Sequence, residues 1–141
     1  MLYEKLGKDS FIKIFRLLLA DNGTEFSNPK AIEYDSDEFK RTSVFYCDPS
    51  APYQKGSAER NHEFIRQFIP KGSDFAKYTQ ADISLMMSHI NSYARESLGD
   101  KTPYDTFAFL YGDSILPKLE CYKIPPQEIT LNNTIFRKED N

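Results

Sequence analysis

The fold is decided by one stretch, Leu17-Leu18-Leu19-Ala20-Asp21-Asn22-Gly23-Thr24-Glu25-Phe26. The nearly continuous apolar run from Arg16 to Ala20 predicts a strand that is covered on both faces, as in parallel sheets. Asp21 follows at the carboxyl end of this strand. The Asn-Gly turn after it predicts that the carboxylate lies on a rim rather than inside the core. The stretch therefore predicts an α/β fold with an acidic side chain at the end of a core strand.

The second informative stretch is Gly56-Ser57-Ala58-Glu59-Arg60-Asn61-His62, which predicts the start of a helix. Gly56 interrupts the chain, Ser57 is a candidate N-cap, and Glu59 falls in the first turn. A carboxylate on a strand end and another on a later helix could together hold a hard cation such as Mg2+. Magnesium prefers oxygen ligands and often shares its remaining positions with water and phosphate oxygens.

The helix predicted from Ala58 to about Ile69 has two distinct faces at about 100° per residue. Its apolar face holds Ala58, Phe64, Ile65, Phe68 and Ile69, and its polar face holds Glu59, His62, Glu63 and Arg66. The carboxylate of Glu59 is therefore expected to face away from the packed side, where a substrate could reach it.

Shorter elements are predicted around the first strand. Residues 2–6 read as the end of a helix stopped by Gly7, and Asp9 or Ser10 could cap a helix that carries Phe11, Ile12 and Phe15. Asn28-Pro29 predicts a very short helix to about Ile32. The β-branched and aromatic residues from Thr42 to Cys47 predict a second strand, which Asp48-Pro49 ends.

Two further helices are predicted downstream. Thr79 and Asp82 form a capping-box variant before an apolar face of Ile83, Met86, Met87, Ile90 and Tyr93. Thr102-Pro103 repeats the start signal, and Phe107, Leu110 and Tyr111 are expected to form the buried face of that helix. Beyond it, a short strand is predicted over 128–131 and a mobile end over 132–141.

Composition limits the functional classes. The 141 residues are 40% hydrophobic and carry a net charge of −3, so the balance of charges gives no overall signal for nucleic acid. Cys47 and Cys121 fit neither a zinc spacing nor a disulfide framework, which favours a reducing, cytoplasmic location. No apolar run approaches the roughly 20 residues needed to span a bilayer. No signal peptide or basic recognition helix is evident either.

Taken together and in order, the motifs form a specific set, although each is common by itself. They are Asp21-Asn22-Gly23-Thr24-Glu25-Phe26, Phe45-Tyr46-Cys47-Asp48-Pro49, Gln54-Lys55-Gly56-Ser57-Ala58-Glu59-Arg60-Asn61-His62, His89-Ile90-Asn91-Ser92-Tyr93-Ala94-Arg95-Glu96 and Lys101-Thr102-Pro103. This arrangement, over about residues 2–111, resembles DDE transposases of the insertion sequence 30 family. Those enzymes are relatives of retroviral integrases with an RNase H-like catalytic fold.

The resemblance implies a partial RNase H-like (integrase core) α/β fold over residues 1–111, with two core strands plus several helices. An extended or partly disordered tail over 112–141 would follow. The family uses three acids, the first on a strand well upstream of the second, but only 20 residues precede Asp21. The resemblance therefore implies a carboxyl-terminal part of the core, without the opening strands and the first catalytic Asp.

The function implied by the resemblance is metal-dependent cleavage of DNA ends and strand transfer. Asp21 and Glu59 would be catalytic residues and ligands of Mg2+ or Mn2+, and transposon ends and target DNA would be the partners. Lacking one acid, the isolated chain is expected to bind magnesium poorly and to be inactive. The absent neighbouring strand would leave an apolar sheet edge, which predicts a homo-oligomer.

Seven residues are candidates for contacts with DNA. The loop residues Tyr53 and Gln54 are placed near substrate by the resemblance, and the basic residues beside the helix suit phosphate contacts. His62 and Arg66 could contact phosphates or could pair with Glu59 and Glu63 in solvent. The full set is Tyr53, Gln54, Lys55, Arg60, His62, Arg66 and Lys71.

Alternatives remain open for the acids and for the whole chain. Glu63 lies one turn after Glu59 on the same face and is the rival carboxylate. Glu25 fits a turn or helix-start residue better than a ligand, and His89 fits a packing or solvent-exposed residue of its helix better than a ligand. The competing function is a non-catalytic remnant that serves as a dimerisation or interaction module.

Overall fold

The computed structural model describes residues 2–136, except for the side chains of Pro52 and Lys55. Within that range the chain is a mixed α/β protein with six α-helices and one two-stranded parallel sheet. The helices are α1 (Leu2–Leu6), α2 (Lys8–Ile14), α3 (Pro29–Glu33), α4 (Gly56–Phe68), α5 (Gln80–Asn91) and α6 (Pro103–Tyr111). The strands are β1 (Leu17–Ala20) and β2 (Ser43–Tyr46).

Backbone contacts divide the chain into two compact units, with the boundary after Ser57. Residues 2–57 contain the sheet and α1 to α3, and we call them the sheet unit. Residues 58–136 contain most of α4 and all of α5 and α6, and we call them the helical unit. The boundary predicted between residues 111 and 112 is a different division, and it stays a prediction.

The sheet unit confirms the two predicted strands, shows that they pair with each other, and corrects the predicted environment of the first. Leu17 of β1 pairs with Ser43 of β2 in parallel, and the register continues to Ala20 and Tyr46. Ala20 is buried, but Leu17 and Leu19 are 57% and 47% exposed. The prediction of a strand covered on both faces is therefore wrong, because in the described residues only one face of this two-stranded sheet is packed.

The beginning of the chain packs through aromatic side chains. The rings of Tyr3 and Phe11 meet edge to face at 5.1 Å, and the guanidinium of Arg41 lies 4.8 Å from the centroid of the Tyr3 ring. Helix α2 begins at Lys8 after Gly7, whose φ of 77° suits a glycine. The candidate caps Asp9 and Ser10 therefore lie inside the first turn instead.

The helical unit is built around a small apolar core. Its buried members come from both α4 and α5, and they are Phe64, Phe68, Ile69, Met86 and Ile90. The predicted capping box at the start of α5 is confirmed, since Thr79 Oγ1 accepts from the Asp82 N–H and Asp82 Oδ2 accepts from the Thr79 N–H. Helix α5 ends at Asn91, so Tyr93 lies beyond it and is largely exposed.

Helix α6 has the predicted start but a narrower packed face. Thr102 Oγ1 accepts from the Asp105 N–H at 2.9 Å, and Pro103 occupies the first turn. The rings of Phe107 and Tyr111 pack together at 4.9 Å, whereas Leu110 is 57% exposed. Leu110 lies about 80° around the helix from the direction between those two rings, at 100° per residue. It therefore falls at the edge of the stripe and is not part of the buried face.

The chain after α6 is packed in short turns. The predicted strand over 128–131 is not formed, because these residues find no partner strand in the described part of the chain. Residues 133–136 form a 3₁₀ turn in which the Phe136 ring packs against Phe68 and Tyr78, at 6.3 and 5.0 Å between ring centroids. For these four residues the predicted mobile end is wrong, and residues 137–141 lie outside the described residues.

Three polar side chains at the end of α5 and at its C-cap are the hydrogen-bond partners of this segment. Ser88 Oγ accepts from the Tyr122 N–H, Ser92 Oγ from the Ile124 N–H, and His89 Nδ1 from the Thr130 N–H, all at 2.9–3.1 Å. Buried polar groups need hydrogen-bond partners, and these three bonds allow the side chains to be buried. The packing role predicted for His89 is confirmed.

Candidate functional site

Asp21 immediately follows β1 and is exposed, as predicted. Its Oδ1 accepts a hydrogen bond from the Gly23 N–H at 3.0 Å, which closes a turn of the kind that Asp residues favour. The carboxylate is thus held at the carboxyl end of a parallel strand, where functional groups of α/β folds commonly lie.

The turn that carries Asp21 is attached to the end of β2. The Cys47 N–H donates to the Ala20 carbonyl at 2.8 Å, and Asn22 Nδ2 donates to the Cys47 carbonyl at 3.4 Å. The Tyr46 hydroxyl donates to the carbonyl of Phe26, a few residues after Asp21 in the chain. The backbone on both sides of Asp21 is therefore fixed by the neighbouring strand.

Glu25 lies in the 3₁₀ turn Thr24–Phe26 that follows, and it is exposed. Its carboxylate folds over Gly23, since a Cβ at that position would lie 2.5 Å from Glu25 Oε2. A side chain at residue 23 would have to displace this carboxylate. The geometry agrees with a turn residue, as the sequence predicts.

The loop before α4 presents one exposed aromatic ring and one engaged amide. Tyr53 is 81% exposed. Gln54 Oε1 accepts from the Asp48 N–H at 2.8 Å, and Gln54 Nε2 donates to Asp48 Oδ2 at 3.0 Å. The Gln54 amide therefore closes the loop on itself, while the side chain of Lys55 lies outside the described part.

Glu59 occupies the first turn of α4 and is exposed, as predicted from the faces of this helix. The predicted cap is wrong. Gly56 already has helical angles, φ −54° and ψ −39°, and it follows directly on the 3₁₀ turn Pro52–Lys55. Ser57 therefore lies within the helix, because the preceding turn supplies the start that a capping side chain would otherwise provide.

The remaining charged residues of α4 line its exposed side. Arg60 Nη1 pairs with Glu63 Oε2 at 3.3 Å, but both side chains are about two-thirds exposed, so the pair adds at most about 1 kcal/mol. His62, Arg66 and Lys71 are also exposed. In the part of the chain that is described, neither His62 nor Arg66 is paired with an acid.

One residue near this helix was missed by sequence reasoning. Arg95 lies in the turn after α5, where Nη2 donates to Asn61 Oδ1 of α4 at 3.3 Å and to the Ile90 carbonyl at 3.4 Å. Its Cζ lies 4.2 Å from the centroid of the Phe64 ring. Burial, and secondarily the charge of Arg60, lowers the pKa of Arg95. The only signal in the sequence was its place in a motif, with no role attached.

The two candidate acids lie in different units, Asp21 in the sheet unit and Glu59 in the helical unit. Their meeting at one site stays a prediction. Within either unit, the described residues contain no group of three or more His, Cys, Asp or Glu side chains that could hold a metal ion. The two carboxylates suit Mg2+ by donor type but do not by themselves make a complete protein site.

Comparison with known proteins gives relatives of one kind. A transposase of insertion sequence element IS30A from Escherichia coli (strain K12) is 40% identical over 60 residues, which are 43% of this chain and 16% of that protein. A transposase of IS4351 from Bacteroides fragilis is 31% identical over 94 residues, which are 67% of this chain and 28% of that protein. A putative integrase, ORF3 of Spiroplasma virus SpV1-R8A2 B, is 32% identical over 91 residues.

These relatives place the chain in the broad class of transposases and integrases. More narrowly, the chain is a homologue of insertion-sequence transposases, including the IS30 transposases of E. coli, which confirms the resemblance predicted from the sequence. The alignments with the IS30A and IS4351 transposases span 16% and 28% of those proteins.

No family model matches the chain, and no solved structure matches it significantly. No helix among residues 2–136 is long and apolar enough to cross a membrane.

Proposed function

We propose that this chain is part of the catalytic core of a DNA transposase with an RNase H-like fold. The reaction is metal-dependent cleavage of DNA ends followed by strand transfer. The observation that carries the proposal is Asp21 at the carboxyl end of β1, in a parallel strand pair of a chain homologous to transposases. The exposed Glu59 on α4 is the second catalytic carboxylate.

The chain contributes two carboxylates and a fixed backbone to this chemistry. Asp21 is held by the turn to Gly23, and Glu59 is held by a helix whose other side is packed. Mg2+ or Mn2+, when bound, would stabilise charge on the phosphodiester and activate the attacking hydroxyl. The remaining ligands would come from water, DNA phosphates and further protein groups.

The basic residues of α4, together with Lys71 just after it, are proposed to hold the DNA backbone. Arg66, His62 and Lys71 are exposed, and Arg60 is tied only by a weak surface pair to Glu63. Each phosphate contact adds affinity that is independent of sequence and sensitive to salt. Tyr53 is proposed to contact a DNA end, which its exposed ring allows, whereas the Gln54 amide is used in hydrogen bonds within the loop.

The test compares the two proposed acids with their nearest rivals in the full-length gene product. Asp21→Asn and Glu59→Gln are expected to lower transposition frequency by about 10³-fold or more, because the loss of one ligand removes the stabilisation of developing charge. Glu25→Gln and Glu63→Gln are the matched controls and are expected to stay within about threefold of the wild type, as exposed carboxylates without a catalytic part. Wild-type transposition by either of the first two variants would contradict the proposal.

We also propose that the 141-residue chain alone neither cuts nor joins DNA, since its described units hold no set of three metal-binding side chains. The measurement is strand transfer into plasmid DNA with 5′-labelled transposon ends, with and without divalent cation. Products that depend on the cation would refute this.

A second candidate function is favoured by the exposed sheet. Leu17, Leu19 and Phe45 share one face through the parallel register and are 57%, 47% and 57% exposed. Such a patch beside an open strand edge invites association with another copy of the chain. In this reading the chain is a homo-oligomerisation module with idle acids. Sedimentation of the chain and of Leu19→Lys tests it, since only association through this face is weakened by the added charge.

A further inference from the structure

Arg95 is a half-buried cation that joins the helix bearing Glu59 to the turn after α5. It lies at the end of a tight loop over 95–101, closed by the Arg95 N–H donating to the Lys101 carbonyl at 2.9 Å and by Gly99 with a φ of 64°. The backbone of Arg95 is therefore fixed before its side chain reaches α4.

The side chain of Arg95 contacts α4 in two ways. Its guanidinium donates to Asn61 Oδ1 at 3.3 Å and lies over the Phe64 ring at 4.2 Å, which is a cation–π distance. The ring of Tyr93, also in the turn after α5, lies 5.7 Å from that of Phe64. The charge-assisted hydrogen bond to Asn61 and the stacking on Phe64 together fix the rotation of α4 about its axis. Apolar packing alone would fix this rotation less strictly.

The position of Asn61 relative to Glu59 gives this contact a consequence for the site. Two residues along an α-helix are about 200° apart around its axis. Anchoring Asn61 toward the turn after α5 therefore directs Glu59 outward, in agreement with its exposure. Nε of Arg95 is buried without a hydrogen-bond partner among the described residues. A buried donor without a partner lowers the stability of the fold. A residue that served stability alone would be expected to avoid this loss.

We propose that Arg95 is a positioning residue for Glu59, which it orients through Asn61 and Phe64 of α4. The inference rests on the proposed catalytic role of Glu59 and deepens it. Arg95 itself touches neither substrate nor metal in this assignment.

The first test measures hydrogen exchange in the 141-residue chain by mass spectrometry. Arg95→Ala is expected to speed exchange across residues 58–64 by about tenfold while the core amides of residues 86–90 stay within about twofold, because only the anchor of α4 is lost. Lys101→Ala is the matched control, since it removes an exposed cation of the same loop and should change neither segment. Unchanged exchange in α4, or equal acceleration in both segments, would overturn the proposal. If Arg95→Ala does not fold, Arg95→Lys, which keeps the charge but loses the planar fork, is compared in the same way.

The second test uses the full-length gene product and separates chemistry from binding. Arg95→Ala is expected to lower the single-turnover rate of strand transfer by about tenfold or more, since small displacements of a catalytic group have effects of this size. The affinity for transposon-end DNA should stay within about twofold. A wild-type rate in Arg95→Ala together with an inactive Glu59→Gln would overturn the positioning role alone. A wild-type rate in Glu59→Gln would overturn the proposed function, and the exchange experiment would still report whether Arg95 holds α4.

Discussion

The two units of the chain differ in how well the elements that carry the candidate acids are packed. In the helical unit the side chains of Phe68 and Ile90 are 0% exposed, at the centre of a core shared by α4 and α5. In the sheet unit, large apolar side chains of both strands, Leu17 and Phe45, are each 57% exposed. Helices α4 and α5 of the helical unit thus share a buried core, whereas the sheet of the sheet unit has one packed face.

Because of this difference, the two proposed catalytic acids lie on elements of unequal stability. Glu59 is carried by a helix whose apolar side is fully packed. Asp21 is carried by a two-stranded sheet, and such sheets are only marginally stable unless other elements cover them. We therefore expect the surroundings of Asp21 to gain order from contacts beyond this sheet, and the surroundings of Glu59 to be ordered already.

The largest expected contrast is between two phenylalanines. Phe68→Ala should destabilise the helical unit by about 3–5 kcal/mol, because it removes a fully buried ring and leaves a cavity. Phe45→Ala, the matched change in the sheet unit, should alter stability by less than about 0.5 kcal/mol, since its ring is largely exposed. Urea denaturation followed by circular dichroism measures both. Equal losses would show that the contrast between the units is wrong.

Acid should weaken the helical unit through His89. Burial lowers the pKa of His89, and the nearby charge of Glu128 acts in the opposite direction with a smaller effect. The unfolded chain therefore binds the proton more readily, so this contribution to stability is complete above about pH 6.5 and is lost as pH falls toward the lowered pKa of the folded state. Protonation would also remove the acceptor for the Thr130 N–H.

Thermal denaturation between pH 7.5 and 5 measures the effect of His89, with His89→Asn as the matched variant. The amide oxygen of Asn can accept from the Thr130 N–H but does not titrate, so the variant should lose less stability on acidification than the wild type does. The same slope with pH in both proteins would rule out His89 as the source.

The smallest expected contrast is between two helix caps. Thr79→Ala should cost about 1 kcal/mol, because it breaks a reciprocal capping box on a core helix of the helical unit. Asn28→Ala removes one bond, from the Ala31 N–H at 3.3 Å, on the five-residue α3 of the sheet unit, which has no buried residues. Its cost should be below about 0.5 kcal/mol, at the low end for caps. Chemical denaturation compares the two, and a larger loss for Asn28→Ala would reverse the expected ranking.

Much of the fold was predictable because its signals are local. Asn28-Pro29, Thr79 and Thr102-Pro103 start helices as predicted, since a cap acts within three residues of itself. The spacing of Phe64 and Phe68 predicted the packed side of α4 and the outward position of Glu59 correctly. The homology to transposases was also predictable from short motifs in order.

Errors arose where a local pattern needs a distant partner. The apolar β1 predicted coverage on both faces, but coverage depends on what packs against the sheet and not on the strand. Residues 128–131 have a strand-like composition, yet a strand forms only when another strand is available to pair with it. The start of α4 shifted to Gly56 because the preceding turn leads directly into the helix.

The sequence by itself determined the approximate positions of the helices and of the two strands, and the homology to transposases, because the signals for each lie in residues close together along the chain. Only the tertiary structure decided the use of Ser88, His89 and Ser92, whose hydrogen-bond partners lie 32–41 positions away. It likewise decided that Arg95 anchors Asn61, 34 positions earlier. A polar side chain in a helix carries no local sign of its distant partner, since burial and geometry arise only when the chain has folded.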